Sequence, residues 1–191
     1  MKFVIEHLEP ELFEWCRIEY KHISEIVGKE NLIFTNIAKK DSSKLKGFGQ
    51  VTKEKVSESN FKNICVLDQY SDAELKTKDN NNFDYFVFGG ILGDNPARKR
   101  THLITDELKK SKIRFETRNL GNKQMPTDVA VYAAKKILEG KALKDFRFID
   151  EVEIEINENE SVGLPFRYII ENNNLVISEK LVEYLRKRKE F

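Results

Sequence analysis

Hydrophobic and polar positions along the chain follow two different periods, which predicts strands and helices that alternate. Apolar runs of strand length cover Lys2–His7, Asn31–Ile37, Asn63–Leu67, Phe83–Phe88, Ile113–Arg118 and Phe146–Ile156. Helical spacing predicts a first helix that starts at Glu9–Glu11 and stops at Gly28, then helices over Thr101–Lys110, Thr127–Leu138 and Ser178–Lys189. We also expect a short helix around Thr52–Ser57 and a C-terminal hairpin with Asn172–Asn174 at its turn.

This order of elements predicts one α/β domain over residues 1–191, with a mostly parallel sheet flanked by helices. Phe83–Phe88 lacks polar alternation, so we expect it to be a central strand covered on both faces. Ligands of such sheets bind beyond the carboxyl ends of the strands. The loops Gly89–Arg100 and Leu120–Asp128 each follow a strand, and we expect them to form the walls of one site.

Composition and charge narrow the class of protein. The 191 residues are 40% hydrophobic and 34% charged, which suits a soluble globular domain. No apolar run approaches the roughly 20 residues that span a bilayer, and the acidic N-terminus does not resemble a signal peptide, so the cytoplasm is the expected location. A net charge of +1 indicates that any contact with nucleic acid is local, because proteins that coat nucleic acid carry a larger basic excess.

Cysteines and histidines are few and scattered. Cys16 and Cys65 are far apart, and His7, His22 and His102 form no ligand spacing. We therefore expect no disulfide framework and no metal, with both cysteines in the core.

The turn after Phe88 contains Gly89, Gly90 and Gly93, followed by Asp94. It lacks the lysine and hydroxyl residue of a phosphate-binding P-loop, and its glycine spacing differs from the dinucleotide fingerprint. Two interpretations remain open. The glycines admit a flat ligand to the main chain, or they form a tight turn in which Asp94 caps the next helix.

The second loop, LGNKQMPTD, also permits two interpretations. Gln124 and Met125 suit a pocket for an adenine-type ligand, which is apolar with a few polar contacts. Alternatively, Thr127 or Asp128 caps the following helix and Pro126 stiffens its entry.

Four segments carry a resemblance to a known family: FVIEHLEPELFEWCRIEY, FVFGGILGDNPARKRT, LGNKQMPTD and PFRYII. Together they resemble the SPOUT-class methyltransferase family that includes a yeast arginine methyltransferase of a small-subunit ribosomal protein. The similarity extends from about Phe3 to Ile177, and the segment Lys39–Asn60 matches poorly. The resemblance implies a deep C-terminal trefoil knot and S-adenosylmethionine (SAM) bound in the knotted loops.

Residue roles follow from the same resemblance. It implies that the cofactor is bound by Leu67, Asp68, Gly89, Gly90, Ile91, Leu92, Gly93, Leu120, Gly121, Gln124, Met125 and Thr127. It places Arg98 and Arg100 at the substrate entrance, and we expect Asp94, Asp128 and Arg98 to act in catalysis. The expected partner is a ribosomal protein or the ribosome. The alternatives are methylation of tRNA or rRNA and a non-catalytic ribosome-associated module, and the sequence leaves open whether the protein is a monomer or a knot-mediated dimer.

Overall fold

The computed structural model describes residues 1–93 and 99–187. Its strands are β1 (Lys2–His7), β2 (Leu32–Thr35), β3 (Gln50–Val51), β4 (Ile64–Leu67), β5 (Tyr85–Gly90), β6 (Phe115–Arg118), β7 (Arg147–Asn157), β8 (Glu160–Glu171) and β9 (Asn174–Leu175). Its α-helices are α1 (Glu14–Val27), α2 (His102–Lys110), α3 (Thr127–Leu138) and α4 (Glu179–Lys187).

Six strands form one parallel sheet in the order β3-β2-β1-β5-β4-β6. The prediction of a mostly parallel sheet flanked by helices is therefore confirmed. β5 lies between β1 and β4, and its Phe86, Val87 and Phe88 are all buried. This is the position expected for a strand without polar alternation.

The two faces of this sheet pack against different helices. Phe3, Ile5, Phe86 and Phe88 point into a large core that contains the apolar sides of α1, α3 and α4. Val4, Ile33, Val66 and Val87 point to the opposite face, where Ile104 and Leu108 of α2 cover them. Alternate residues of each strand thus enter different cores, because side chains in a strand alternate between faces. Cys16 and Cys65 are free thiols and both are buried, as predicted.

A separate antiparallel sheet contains β7, β8 and β9. β8 and β9 are joined at Asn172 and Asn173, which both have positive φ. Asparagine tolerates this backbone region, and two such residues form the tight turn that matches the twist of the strands. α4 packs its buried Leu181 and Leu185 into the large core.

The first helix starts later than the sequence predicts. It begins at Glu14, not at Glu9–Glu11. The Leu8 amide donates to the Gly90 carbonyl at 3.1 Å, and the Glu9 carboxylate bonds to the turn after β5, so this segment continues along the sheet. Tertiary contacts here override the helix-start signal of Pro10.

The predicted helix around Thr52–Ser57 is wrong. That stretch follows β3, which pairs with β2, and leads into one short 3₁₀ turn over Val56–Glu58. The amide of Val56 donates to the buried Glu6 carboxylate at 2.7 Å, a tertiary contact that holds the turn. Other predicted ends agree with the structure or differ by one or two residues; the last two positions of the helix predicted over Ser178–Lys189 lie outside the described residues.

Among the helices that the structure describes, none has the length and apolar character required to cross a membrane.

Candidate functional site

A pocket lies beyond the carboxyl ends of β4, β5 and β6, where the loops after these strands approach one another. It is lined by Leu67, Asp68, Gln69, Tyr70, Phe88, Gly89, Ile91, Lys99, Arg100, Thr101, Leu120, Gly121, Lys123, Gln124, Met125, Thr127 and Ala130. Both loops predicted from the sequence contribute to it, and so does a third segment, Leu67–Tyr70. The position agrees with the general rule for ligand sites in parallel sheets.

The lining has the character of a site for a small, partly apolar ligand. Leu67, Phe88, Leu120 and Met125 supply apolar surface. Polar groups come from side chains on several different loops, including Asp68, Gln69, Gln124 and Thr127. Apolar surface combined with polar groups that converge from several loops is found at nucleoside and cofactor sites.

The turn after β5 is held on the side of α3 by one hydroxyl group. Thr127 Oγ1 at the start of α3 lies 3.2 Å from the Gly89 carbonyl oxygen and 3.4 Å from that of Ile91. Thr127 therefore fastens one pocket wall to the other. It is not a side-chain cap of α3, where the structure gives no such bond.

The three glycines of this turn occupy positions with different structural constraints. Gly89 lines the pocket. A Cβ at Gly90 would overlap the Tyr20 hydroxyl group, and a Cβ at Gly93 would overlap the ring of Phe166. Gly90, Leu92 and Gly93 do not line the pocket, so close packing explains two of these glycines, whereas the sequence suggested ligand access.

The loop after β6 is positioned by bonds to two other parts of the chain. Gln69 Nε2 donates to the Asn122 carbonyl at 2.7 Å, and the Arg167 amide donates to the Gln124 carbonyl at 2.9 Å. Gly121 has a φ of 94°, a conformation that favours glycine. This backbone geometry brings the main chain at Gly121 into the pocket wall.

Charged groups at the outer edge of the pocket are paired with the second sheet. Lys123 Nζ lies 2.7 Å from Asp150 Oδ2, and Arg167 Nε lies 2.7 Å from Asp150 Oδ1. The hydrogen bond from Arg167 has the larger effect and that from Lys123 the smaller. Together they hold the pKa of the Asp150 carboxyl well below its usual range. The base of the β7–β8 hairpin is thus tied to the loop that lines the pocket.

Nine of the twelve predicted cofactor residues line the pocket: Leu67, Asp68, Gly89, Ile91, Leu120, Gly121, Gln124, Met125 and Thr127. Arg100, predicted at the substrate entrance, also lines it. Its guanidinium group is bonded to Glu9 and to the Leu8 carbonyl, so it has a structural role as well. Asp94 and Arg98 lie outside the described residues, and their predicted roles stay predictions.

Asp128, predicted to act in catalysis, is buried and does not line the pocket. Its Oδ2 lies 2.6 Å from His22 Nδ1 on α1. Glu19 lies in the same region, also buried, and accepts a hydrogen bond from Trp15 Nε1 at 2.8 Å. Burial raises the pKa of Glu19 well above its ordinary value, and the nearby charge of Asp128 raises it further. In this structure the Asp128 carboxylate therefore faces the α1–α3 interface.

Several lining residues were not among the predicted site residues, namely Gln69, Tyr70, Phe88, Lys99, Thr101, Lys123 and Ala130. Tyr70 lies at the rim, with Lys99 Nζ 4.4 Å from the centre of its ring. Gln69 and Tyr70 follow β4 directly, so the rule that ligands bind beyond strand ends was a signal that pointed to them. Among the described residues, no group of three or more His, Cys, Asp or Glu side chains is arranged to hold a metal.

Comparisons with known proteins agree on one family. The profile described as protein arginine N-methyltransferase SFM1-like matches residues 2–190. The chain is 36% identical to protein arginine N-methyltransferase SFM1 of Saccharomyces cerevisiae over 205 residues, which covers 98% of this chain and 95% of that protein. The crystal structure of the yeast arginine methyltransferase SFM1 complexed with SAH has a TM-score of 0.87 and 33% identity, covering 97% of this chain and 94% of that chain.

A more distant structural likeness concerns the fold alone. Trm10 of Thermococcus kodakaraensis has a TM-score of 0.63 and 20% identity, and the match covers 75% of this chain and 95% of that chain.

Proposed function

Since the chain belongs to the SFM1-like family of protein arginine N-methyltransferases, which is of the SPOUT class, we propose that it transfers a methyl group from SAM to an arginine of a small-subunit ribosomal protein. The observation that carries the proposal is the position of the pocket. It is built from the two loops that resemble the family's cofactor loops, and solved structures of the yeast relative are complexed with SAM, SAH and MTA.

The residues of the pocket fit such a cofactor. Leu67, Leu120 and Met125 offer apolar contact for an adenine ring, while Asp68 and Gln124 offer polar groups to the sugar and the amino acid part. Gly89 and Gly121 present main chain without a side chain in the way. A sulfonium and a purine need this combination of apolar surface, exposed peptide groups and a few polar side chains.

SAM, when bound, supplies a methyl group bonded to a positively charged sulfur. After in-line attack on the methyl carbon, the sulfur is the leaving group and becomes a neutral thioether. The protein contributes alignment, an effect that reaches roughly 7 to 11 kcal/mol in favourable cases. Thr127 holds the turn after β5 against α3, so that both walls of the pocket keep a constant separation. The acceptor arginine must also lose a proton, and we propose that the Asp94 carboxylate orients its guanidinium group.

A basic protein substrate suits the charge of the β7–β8 hairpin, which is joined to the pocket at its base. The hairpin segment 150–163 contains six acidic side chains and no lysine or arginine. Its base is joined to the pocket through Lys123 and Asp150. Ribosomal proteins are basic, whereas RNA phosphates would be repelled by this segment. The cytoplasm is the compartment that a ribosomal substrate implies.

We further propose that the C-terminal loops form the deep trefoil knot of the SPOUT class. Support comes from hydrogen bonds that join three loops at the pocket. The chain after β6 is bonded to the loop after β4 through Asn119 and Ser71, and Thr127 at its end is bonded to Gly89 and Ile91 of the turn after β5. A crystal structure traced through residues 85–140 tests the threading, and an unthreaded path would contradict it.

One experiment separates the candidate functions. The protein is incubated with methyl-labelled SAM and a ribosome-containing extract from cells that lack the activity, and the labelled product is then treated with protease or ribonuclease. Label removed by protease, and found on an arginine of a small-subunit protein, is the expected outcome. Label removed by ribonuclease would favour RNA methylation instead.

A calorimetric titration completes the test. Binding of SAH without any label transfer would favour a non-catalytic module. No binding of SAM or SAH at all would contradict both enzymatic functions.

A further inference from the structure

One carboxylate oxygen outside the pocket holds two parts of the chain that form the pocket. Glu9 Oε1 accepts a hydrogen bond from the Leu92 amide at 2.9 Å and another from Arg100 Nη1 at 2.8 Å. The second terminal nitrogen of Arg100 donates to the Leu8 carbonyl at 2.8 Å. The segment Leu8–Glu9 therefore binds the chain on both sides of residues 93–99.

This arrangement connects Glu9 to the pocket without direct contact. Glu9 does not line the pocket, but Arg100 does, and so does Ile91, the neighbour of Leu92. The bond to Leu92 fixes the path by which the chain leaves the turn after β5. The bond to Arg100 fixes where the chain re-enters the pocket wall before α2.

The environment makes these bonds strong. The side chain of Glu9 is 10% exposed and that of Arg100 is 20% exposed. Both bonds involve a charged group, which makes them stronger than neutral hydrogen bonds. Loss of the carboxylate would remove a counter-charge of the guanidinium group in a mostly buried position, a change that destabilises the local structure.

A second anchor acts on the same turn from another part of the chain. The Leu8 amide and the Glu9 carboxylate hold the turn after β5 from the N-terminal segment, whereas Thr127 holds it from α3. The turn is thus fixed between two supports. A residue that does not touch the ligand can still affect its affinity, because it sets the positions of the ligand-binding residues to within fractions of an ångström.

We propose that Glu9 is a positioning residue for the methyl donor, which it serves by holding Leu92 and Arg100 in the geometry of the bound pocket. The inference rests on the proposed function. It predicts that Glu9 contributes to donor affinity although it touches neither the donor nor the acceptor.

The test compares SAH affinity of the full chain by calorimetry in three variants. In Glu9→Ala both bonds are lost, and SAH affinity is expected to fall roughly 10- to 100-fold. In Glu9→Gln the amide oxygen still accepts but without charge, so a loss of several-fold is expected. Glu11→Ala is the matched control, because Glu11 is an exposed acid two residues away, and its affinity should equal that of the unmodified chain.

A second control separates positioning from general destabilisation. Lys141→Ala removes the partly buried ion pair with Glu171, which is 3.0 Å long and formed by two residues outside the pocket lining. It should lower the melting temperature and leave SAH affinity unchanged. With labelled SAM, Glu9→Gln should raise KM for SAM more than it lowers kcat.

The outcomes are distinct. If the unmodified chain does not bind SAH, the proposed function fails. If it binds and both Glu9 variants bind equally well, the proposal for Glu9 fails alone. Should Glu9→Ala not fold, Glu9→Gln decides in the same way: weaker binding supports the role, and unchanged binding overturns it.

Discussion

His22 Nδ1 on α1 lies 2.6 Å from Asp128 Oδ2 at the first turn of α3. This contact ties two helices that cover the same face of the parallel sheet, and Asp128 also accepts a bond from the Val129 amide at 2.8 Å. The residue that follows Thr127 of the pocket wall thus belongs to the helix interface. Its carboxylate joins α1 to the element that supports the pocket.

We expect Asp128→Ala to lower the free energy of unfolding by about 2–3 kcal/mol, because it leaves buried polar partners unsatisfied. Urea unfolding measures this change. His22→Ala should lower the free energy of unfolding by less. The double variant of Asp128→Ala and His22→Ala should show a coupling energy of about 1 kcal/mol or more. SAH affinity of folded Asp128→Ala should change little. A loss of kcat without loss of stability would instead support the catalytic role predicted from the sequence.

Glu19 should make stability depend on pH. Its pKa in the folded protein is raised above the ordinary 4.5 by burial and then by the charge of Asp128. The folded state therefore keeps the proton to higher pH than the unfolded state, and stability falls as the pH rises above about 4.5.

The variant Glu19→Gln keeps an acceptor for Trp15 without the charge. We expect it to be more stable than the unmodified chain at pH 7 and to lose this advantage near pH 4.5. Urea unfolding at several pH values measures the difference. Glu25→Gln, at an exposed position of the same helix, is the control. Equal stability of Glu19→Gln and the unmodified chain at every pH would contradict the prediction.

Gly90→Ala should destabilise the fold by about 1–3 kcal/mol, because the added methyl group would overlap the Tyr20 hydroxyl group. Thermal unfolding gives the magnitude. In the double variant Gly90→Ala with Tyr20→Phe, removal of the hydroxyl group should recover part of the loss. No recovery would show that the backbone at Gly90, or its contact with Ile5, is the limiting constraint.

Gly121→Ala should weaken SAH binding through the backbone. The φ of Gly121 is 94° and no atom lies closer than 3.7 Å to the added Cβ, so strain and not overlap is the expected effect. Gly140→Ala is the matched control, with a φ of 119° and open space around it. Both changes should cost about 1 kcal/mol of stability. Only Gly121→Ala should reduce SAH affinity in a calorimetric titration, and equal affinities would contradict the assignment of this wall.

Local sequence signals were sufficient to predict a helix or strand where the tertiary packing favours the same structure. The helix Thr127–Leu138 was predicted with the bounds that the structure has, because its apolar face and its start after Pro126 both indicate the same helix. Five of the six strands of the parallel sheet were predicted from their apolar runs, with ends that agree or differ by one or two residues, whereas the two-residue strand β3 was not predicted. Local signals failed at Glu9–Glu11, where a helix start gave way to bonds with Leu92 and Arg100.

The same limit applies to the site. Motif similarity identified the two loops and nine lining residues. It could not show which way a side chain turns, and Asp128, expected to act in catalysis, has its carboxylate bonded to His22. It also gave no reason to distinguish Gly89, which lines the pocket, from Gly90, which is required by contact with Tyr20.

By itself the sequence determined the class of fold, the family and the loops of the site, because apolar periodicity and motif order are local properties of the chain. Only the tertiary structure decided which residues share the pocket and which merely support it. That choice depends on contacts between positions far apart in the chain, such as Glu9 with Leu92 and Arg100, and no local pattern encodes their distance.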